Sequence, residues 1–461
     1  MSSRVLAVWS PEDAKFWEDQ GKAVAYRNLW ISIPSLFLSF AVWMVWSVVV
    51  VNLQSIGFAF DADKLFWLAA LPGLSGATLR IFYSFMVPIF GGRTWTTIST
   101  ASLLIPAIGI GFAVRDPSTS YTTMLLLAFL CGLGGGNFAS SMSNISFFFP
   151  KTLKGTALGL NAGLGNLGVS AMQFLVPLVI TTGTFRTLCG EPQLCVVKGL
   201  ATSVWMQNAG FIWVPFIVLA TLASWFGMND IADAKASFKE QSVIFKRKHN
   251  WIMCWLYLGT FGSFIGYSAG LPLLIKSQFP AVSPTQYAFI GPLLGALFRP
   301  VGGWIADKLG GARVTFWNFI AMAAAAVGVL YYLPSQGNPG NFWGFLAMFI
   351  LMFVTTGIGN GSTFRMIPVI FLTERQRAAH GGGPKAQAQA TAEAGKEAAA
   401  VLGFSSAFAA YGAFFIPKAF GSSITYTGAP HLALYGFLVF YLSCLALTWY
   451  CYSRKNADMP C

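Results

Sequence analysis

Twelve apolar runs, each long enough to cross a lipid bilayer, punctuate this chain and leave it few ways to fold. They cover about residues 30–53, 65–89, 95–114, 121–148, 154–182, 203–227, 250–274, 284–306, 313–333, 342–371, 399–420 and 431–452. A helix needs roughly 20 apolar residues to traverse the hydrocarbon core. Backbone amides in lipid must be satisfied within their own segment, so each run is expected to be a helix. Hydrophobic residues are 55 % of the 461 positions and charged residues 10 %, far from soluble composition. The expected fold is therefore an all-α membrane protein of twelve transmembrane helices.

The net charge of +13 does not point to nucleic acid, because its distribution follows the spans. With both termini in the cytoplasm, twenty of the 29 Lys/Arg fall in cytoplasmic segments. Six (Lys64, Arg115, Arg186, Lys198, Lys276 and Lys418) fall outside or at the outer rim, and Arg80, Arg299 and Arg365 lie within spans. That asymmetry sets the orientation. Residues 1–29 read as a polar cytoplasmic tail with no apolar core, unlike a cleaved leader.

The polar stretch 229–249 divides the spans six and six, so 30–228 and 250–453 are expected as two halves, with a short tail at 454–461. A second stretch, Thr373 to about Ala398, is rich in Ala, Gly and Gln and reads as a mobile connection. The halves repeat. Gly76-Ala77-Thr78-Leu79-Arg80 ends eleven residues before Gly91, and Gly295-Ala296-Leu297-Phe298-Arg299 ends eleven before Gly310, a constant offset of 219. Span 5 carries Gly159, Gly163, Gly165 and Gly168, and span 11 carries Gly403, Ala407, Ala409 and Gly412 at matching offsets. Small residues let helices approach closely in lipid, so these are expected packing and gating seams. Two pseudo-symmetric six-helix halves in parallel repeat are the plan of the major facilitator fold. The turn Gly303-Trp-Ile-Ala-Asp307-Lys308-Leu-Gly310-Gly311-Ala-Arg313 resembles the cytoplasmic latch motif of that superfamily. Its first-half counterpart, ending Gly91-Gly92-Arg93, has no acid, so the latch is expected mainly in the second half.

Arg80 and Arg299 are the strongest candidate site residues. A charged side chain at the bilayer centre costs about 2.5–3.5 kcal/mol on insertion scales, and arginine cannot escape by losing its proton. Arg80 is sixteen residues from Lys64 and thirteen from Arg93, about 20 Å or more from either polar anchor, too far to snorkel. Arg365 lies near a span end and is expected only to snorkel. All sixteen Asp and Glu map outside the spans, so the natural counter-ion of the two arginines is a bound anion. Exchange is the favoured mode, since such a site is rarely empty. Spans without carboxylate or histidine argue against a proton-coupled porter and against haem or metal chemistry, and neither cofactor nor metal is expected. No GxSxG, HExxH or Walker sequence suggests an enzyme. The seven cysteines form no CxxC pair; Cys189 and Cys195 share an outer loop, as a disulfide or as two thiols. Aromatic residues cluster on the spans that would line a cavity: Phe40, Phe138, Tyr257 and Phe261.

Gly136-Asn137-Phe138 through Pro150, the run from Gly159 to Gly168 with Asn166, Gly262-Ser-Phe-Ile-Gly266, and Phe415-Ile-Pro-Lys-Ala-Phe-Gly421 resemble the nitrate/nitrite porter family. The resemblance runs from Arg27 into span 12 and implies that Arg80 and Arg299 clamp the anion. It further implies that Tyr257 and Asn166 hydrogen-bond that anion, and that Phe40, Phe138 and Phe261 wall the site. A guanidinium fork suits a small planar anion. The expected partners are nitrate, nitrite and the lipid bilayer, and the expected setting is a monomer in a bacterial inner membrane. Proton-coupled nitrate symport, a porter for formate, bicarbonate or cyanate, and a membrane sensor stay open as alternatives.

Overall fold

The computed structural model describes residues 4–183, 190–197, 200–232, 242–335, 337–459 and 461. Among them, twelve helices are long and apolar enough to cross a membrane. Spans 1 to 6 are Ala14–Ile56, Ala62–Tyr83, Gly92–Ala113, Tyr121–Phe148, Lys151–Thr181 and Asn208–Gly227. Spans 7 to 12 are Lys248–Gln278, Pro284–Leu309, Gly311–Tyr332, Phe342–Ala378, Gly383–Thr427 and His431–Ser453. Four short strands accompany them: β1 (Val5–Leu6), β2 (Gln193–Val197), β3 (Leu200–Val204) and β4 (Asp230–Ile231). β2 and β3 form an antiparallel hairpin in which Cys195 is a buried free thiol, while Cys189 lies outside the described residues.

Two stretches differ from the sequence expectation. The connection 373–398 is helical except for a turn at residues 379–382, because span 10 runs on to Ala378 and span 11 starts at Gly383. Its Ala, Gln, Lys and Glu are strong helix formers, and Pro384 stands in the first turn, where a missing N–H costs nothing. Gly381, at φ +89°, makes the turn. Low complexity there is written as helix rather than as irregular loop. Residues 4–29 also take regular structure: β1 pairs with β4, and the Asp13 carboxylate caps the helix that opens span 1.

The chain forms two compact units. One comprises Met1–Lys235, Gly266–Leu293 and Ala413–Thr425, so spans 1–6 share it with parts of spans 7, 8 and 11. The other comprises Ala236–Ile265, Leu294–Gly412 and Tyr426–Cys461. In the first, glycines bring backbones together at two crossings. A β-carbon added at Gly76 would lie 3.0 Å from Gly135 Cα, and one added at Gly168 would lie 2.1 Å from the Phe37 carbonyl oxygen. At the end remote from the N-terminus, Lys418 pairs with Asp63 at 2.5 Å, Lys276 donates to the Val51 carbonyl, and Gln173 donates to the Ser268 carbonyl at 2.7 Å.

The second unit repeats the crossing logic. A β-carbon at Gly357 would lie 2.3 Å from the Gly295 carbonyl oxygen, and one at Gly412 would lie 2.3 Å from that of Gly262. Gly76 and Gly295 each stand one turn before an in-span arginine, so both halves seat that arginine beside a glycine crossing. The expected seams are only partly engaged. Gly165, Gly168 and Gly412 are packed, whereas an added β-carbon at Gly159, Gly163 or Gly403 would meet nothing within 4 Å. Gly168→Val is therefore expected to cost about 1–3 kcal/mol of overpacking, lowering the thermal unfolding temperature in detergent by roughly 1–3 °C. Gly159→Ala should leave it no lower, since the site is open and alanine favours helix.

Candidate anion-binding site

Arg80 in the first half and Arg299 in the second are each buried among aromatic rings. In the first unit Arg80 is fully buried, and its Nε donates to the Gly135 carbonyl at 2.7 Å. That carbonyl is reachable because Gly76 and Gly135 bring spans 2 and 4 into close approach. The guanidinium lies over two rings, 4.7 Å from the Phe138 centroid and 5.0 Å from that of Trp43. Phe40 completes the group, 5.7 Å from Trp43 and 6.1 Å edge-to-face with Phe138. Each cation–π contact is worth about 2 kcal/mol when desolvated, and a hydrogen bond to a charged group about 1.5–3. Together they offset much of the insertion cost and hold the side chain in one pose.

The second unit builds a similar group on Arg299. Its Nη2 donates to the Tyr257 hydroxyl at 3.2 Å, and its Cζ lies 5.3 Å from the Phe364 centroid. The Tyr257 ring stacks on Phe261 at 5.5 Å with an interplanar angle of 14°, and sits 6.1 Å from Phe364. Nη1 of Arg299 is buried without a hydrogen-bond partner. Because the Tyr257 oxygen accepts from Arg299, its own hydrogen is free to point elsewhere.

Asn166 on span 5 is buried, and both ends of its amide lack a partner. The contacts that join Arg80, Trp43, Phe40 and Phe138 do not include it. The two acidic side chains buried among the described residues are committed to other cations. Asp230 pairs with Arg93 at 3.2 Å, and Glu397 with Arg247 and Arg375 at 3.0 Å and 2.5 Å. No cluster of metal-ligating side chains occurs among the described residues.

Trp43 and Phe364 belong to these groups although no single-residue signal in the sequence singled them out. A signal for Phe364 existed: Gly135-Gly-Asn-Phe138 in span 4 recurs as Gly361-Ser-Thr-Phe364 in span 10. The latch motif is partly assembled. Asp307 pairs with Arg365, so that arginine is an ion-pair partner and does more than snorkel. Lys308 lies 4.0 Å over the Trp304 ring, Gly310 takes φ +89°, Gly303 faces open space and Arg313 is exposed.

The profile of the Major Facilitator Superfamily matches residues 35–383. Among curated proteins, the nitrate/nitrite transporter NarU of Salmonella typhimurium is 53 % identical over 98 % of this chain and 97 % of its own. NarU of Escherichia coli is 52 % identical over 99 % and 97 %. A Thermus thermophilus protein named as a probable nitrate/nitrite antiporter, NarK2, is 43 % identical over 98 % and 97 %. Among solved structures, the nucleoside transporter NupG (D323A mutant) superposes with a TM-score of 0.60 at 12 % identity, covering 92 % of this chain and 98 % of that one. A bacterial homologue of the human lysosomal transporter Spinster, inward-facing and occupied, gives 0.59 at 15 % identity, with 93 % and 96 % covered. At those identities the structural likeness speaks for the fold alone.

Proposed function

The chain belongs to the Major Facilitator Superfamily and to its nitrate/nitrite porters, and as such it transports nitrate and nitrite; we propose that it exchanges the two by alternating access. It is a multi-pass membrane protein. The observation that carries the site reading is Arg299 Nη1, a permanently charged donor buried with nothing to bond. Leaving such a group unpaired is costly, so a small anion is its fitting partner.

In this proposal Arg80 and Arg299 each offer one arm to a single anion. The Asn166 amide nitrogen and the Tyr257 hydroxyl donate to its remaining oxygens. Phe40, Phe138 and Phe261 supply flat walls, with Trp43 and Phe364 holding the two guanidinium planes. Nitrate and nitrite are planar acceptors without a proton, which matches a site whose charged groups are donors set among ring faces. Bicarbonate brings a proton that would need an acceptor, and the proposed ligand set has no carboxylate.

Residues 30–228 and 250–453 are the proposed moving halves, joined by 229–249, with both tails cytoplasmic and the chain acting as a monomer in a bacterial inner membrane. The unpacked glycines Gly159, Gly163 and Gly403 fit a surface that engages at another stage of the cycle. The reading is tested with purified protein in liposomes taking up labelled nitrate. Nitrite should compete at concentrations comparable to nitrate, while bicarbonate should need at least about tenfold more, a difference of about 1.4 kcal/mol. Equal competition by bicarbonate would refute the planar-acceptor site.

A further inference from the structure

The turn between spans 2 and 3 reads Gly91-Gly92-Arg93 and holds no acid of its own. An acid nevertheless sits in it. Asp230, just beyond span 6 and only 9 % exposed, accepts through Oδ1 from the Arg93 amide at 2.8 Å and the Thr94 amide at 3.4 Å. Its Oδ2 accepts from Arg93 Nε and from the Thr94 hydroxyl, both at 3.2 Å. These two amides open span 3, where a helix has no intrahelical partner to offer, and a carboxylate there also answers the helix dipole. The fit depends on Gly91, at φ +87°, where a β-carbon would lie 2.4 Å from Asp230 Oδ1. In the second half Asp307 lies within the turn motif itself and meets Arg365, both about half exposed.

Asp230 is in turn held by the strand that contains Val5 and Leu6. β4 pairs in parallel with β1, the Asp230 amide donating to the Arg4 carbonyl at 2.9 Å and the Ala232 amide to that of Leu6 at 3.1 Å. Two strands of two residues have no stability alone. What anchors β1 is the segment after it. The Trp9 indole donates to the Phe147 carbonyl at 3.0 Å, and its ring meets Phe148 edge-to-face at 5.4 Å. Glu12 accepts from the Lys151 amide at 3.0 Å, at the start of span 5, and Trp17 is buried against Phe149.

We propose that Arg4–Trp17 is a strap that positions Asp230, and that Asp230 is the latch acid of the first half, supplied from beyond span 6 to a turn that lacks one. The strap ties the turn between spans 2 and 3, the turn between spans 4 and 5 and the end of span 6 into one body. Those three turns then keep a fixed arrangement while the carrier cycles. This holds whichever anion is carried.

Hydrogen exchange read by mass spectrometry on the full chain tests it, because the Arg93 and Thr94 amides report on Asp230 directly. Asp230→Ala is expected to speed their exchange at least tenfold. Leu6→Asp with Trp9→Ala, which pulls the strap away, is expected to do the same. All three changes together should add no more than either alone. If the strap variant leaves the two amides protected, or if the effects multiply, the proposal is overturned. The Ala312 and Arg313 amides of the second-half turn should be unchanged. If they too exchange faster, the strap variant has loosened globally, and Trp9→Phe, which keeps the ring and loses the indole bond, decides. Faster exchange confined to Arg93 and Thr94 upholds the strap; no change at them overturns it.

Discussion

Lysine in place of Arg80 or of Arg299 is expected to cut nitrate transport about ten- to a hundredfold while leaving the chain inserted and folded. The charge survives the change, so a site that needed only a cation would keep working. What lysine lacks is the planar fork. Arg80 spends its Nε on the Gly135 carbonyl and lies across the Trp43 and Phe138 rings. A lysine ammonium is a single point at the end of a flexible chain; it can satisfy the carbonyl or reach the anion, and it does not stack as a plane. Arg299 divides its terminal nitrogens between the Tyr257 hydroxyl and an unoccupied direction. A lysine there cannot serve both in the same fixed geometry. Losing one hydrogen bond to a charged group costs about 1.5–3 kcal/mol, and the upper end of that range is about a hundredfold. Labelled nitrate uptake into liposomes, beside size-exclusion profiles of each variant, separates loss of function from loss of fold. Near-normal uptake by either lysine variant sinks the two-armed clamp.

The parts of this protein legible from sequence are those written in local composition. Twelve apolar runs announced twelve spans, because lipid forces each to close its own hydrogen bonds. Arg80 and Arg299 stood out because a buried charge is rare in such runs, and the Gly76 and Gly295 frames marked them as equivalent. The structure sets both beside glycine crossings and aromatic rings. What could not be read was whatever depends on residues distant in sequence. Asp230 is 137 positions from Arg93, and Trp9 is 138 from Phe147, so no window shows either contact. Trp43 and Phe364 are single aromatics in spans full of them, and only the repeat of Gly-x-x-Phe between spans 4 and 10 distinguishes the second. The stretch 373–398 misled for a different reason: alanine-rich composition lowers complexity and raises helix propensity at once.

Those distant contacts also bear on what moves. Arg247, Arg375 and Glu397 form an ion network joining the starts of spans 7 and 11 to the end of span 10, within one unit. Arg93 and Asp230 do the corresponding work within the other. Each network closes on residues of its own unit, so its bonds need not break as the carrier cycles. The proposed anion ligands Arg80 and Arg299 have no part in either network, and in the proposed cycle it is their state that differs between loaded and empty forms.

Liposomes loaded with nitrite are accordingly expected to take up labelled nitrate at least about tenfold faster than empty ones, with no pH gradient imposed. With the site empty, two guanidinium groups would pass through the closed form without a counter-ion. Removing one partner of a buried ion pair costs about 3–5 kcal/mol. If even part of that cost appears in the return of the empty carrier, each 1.4 kcal/mol slows it tenfold. Either anion removes the penalty, so loaded forms cross in both directions while the empty form lags. Both anions carry one negative charge, so one-for-one exchange moves no net charge and should not respond to an imposed membrane potential. A proton-coupled carrier would behave otherwise, needing a titratable group that alternates with the anion. The carboxylates buried among the described residues, Asp230 and Glu397, are already held by arginines at the ends of spans. A strict requirement for a pH gradient would therefore overturn exchange.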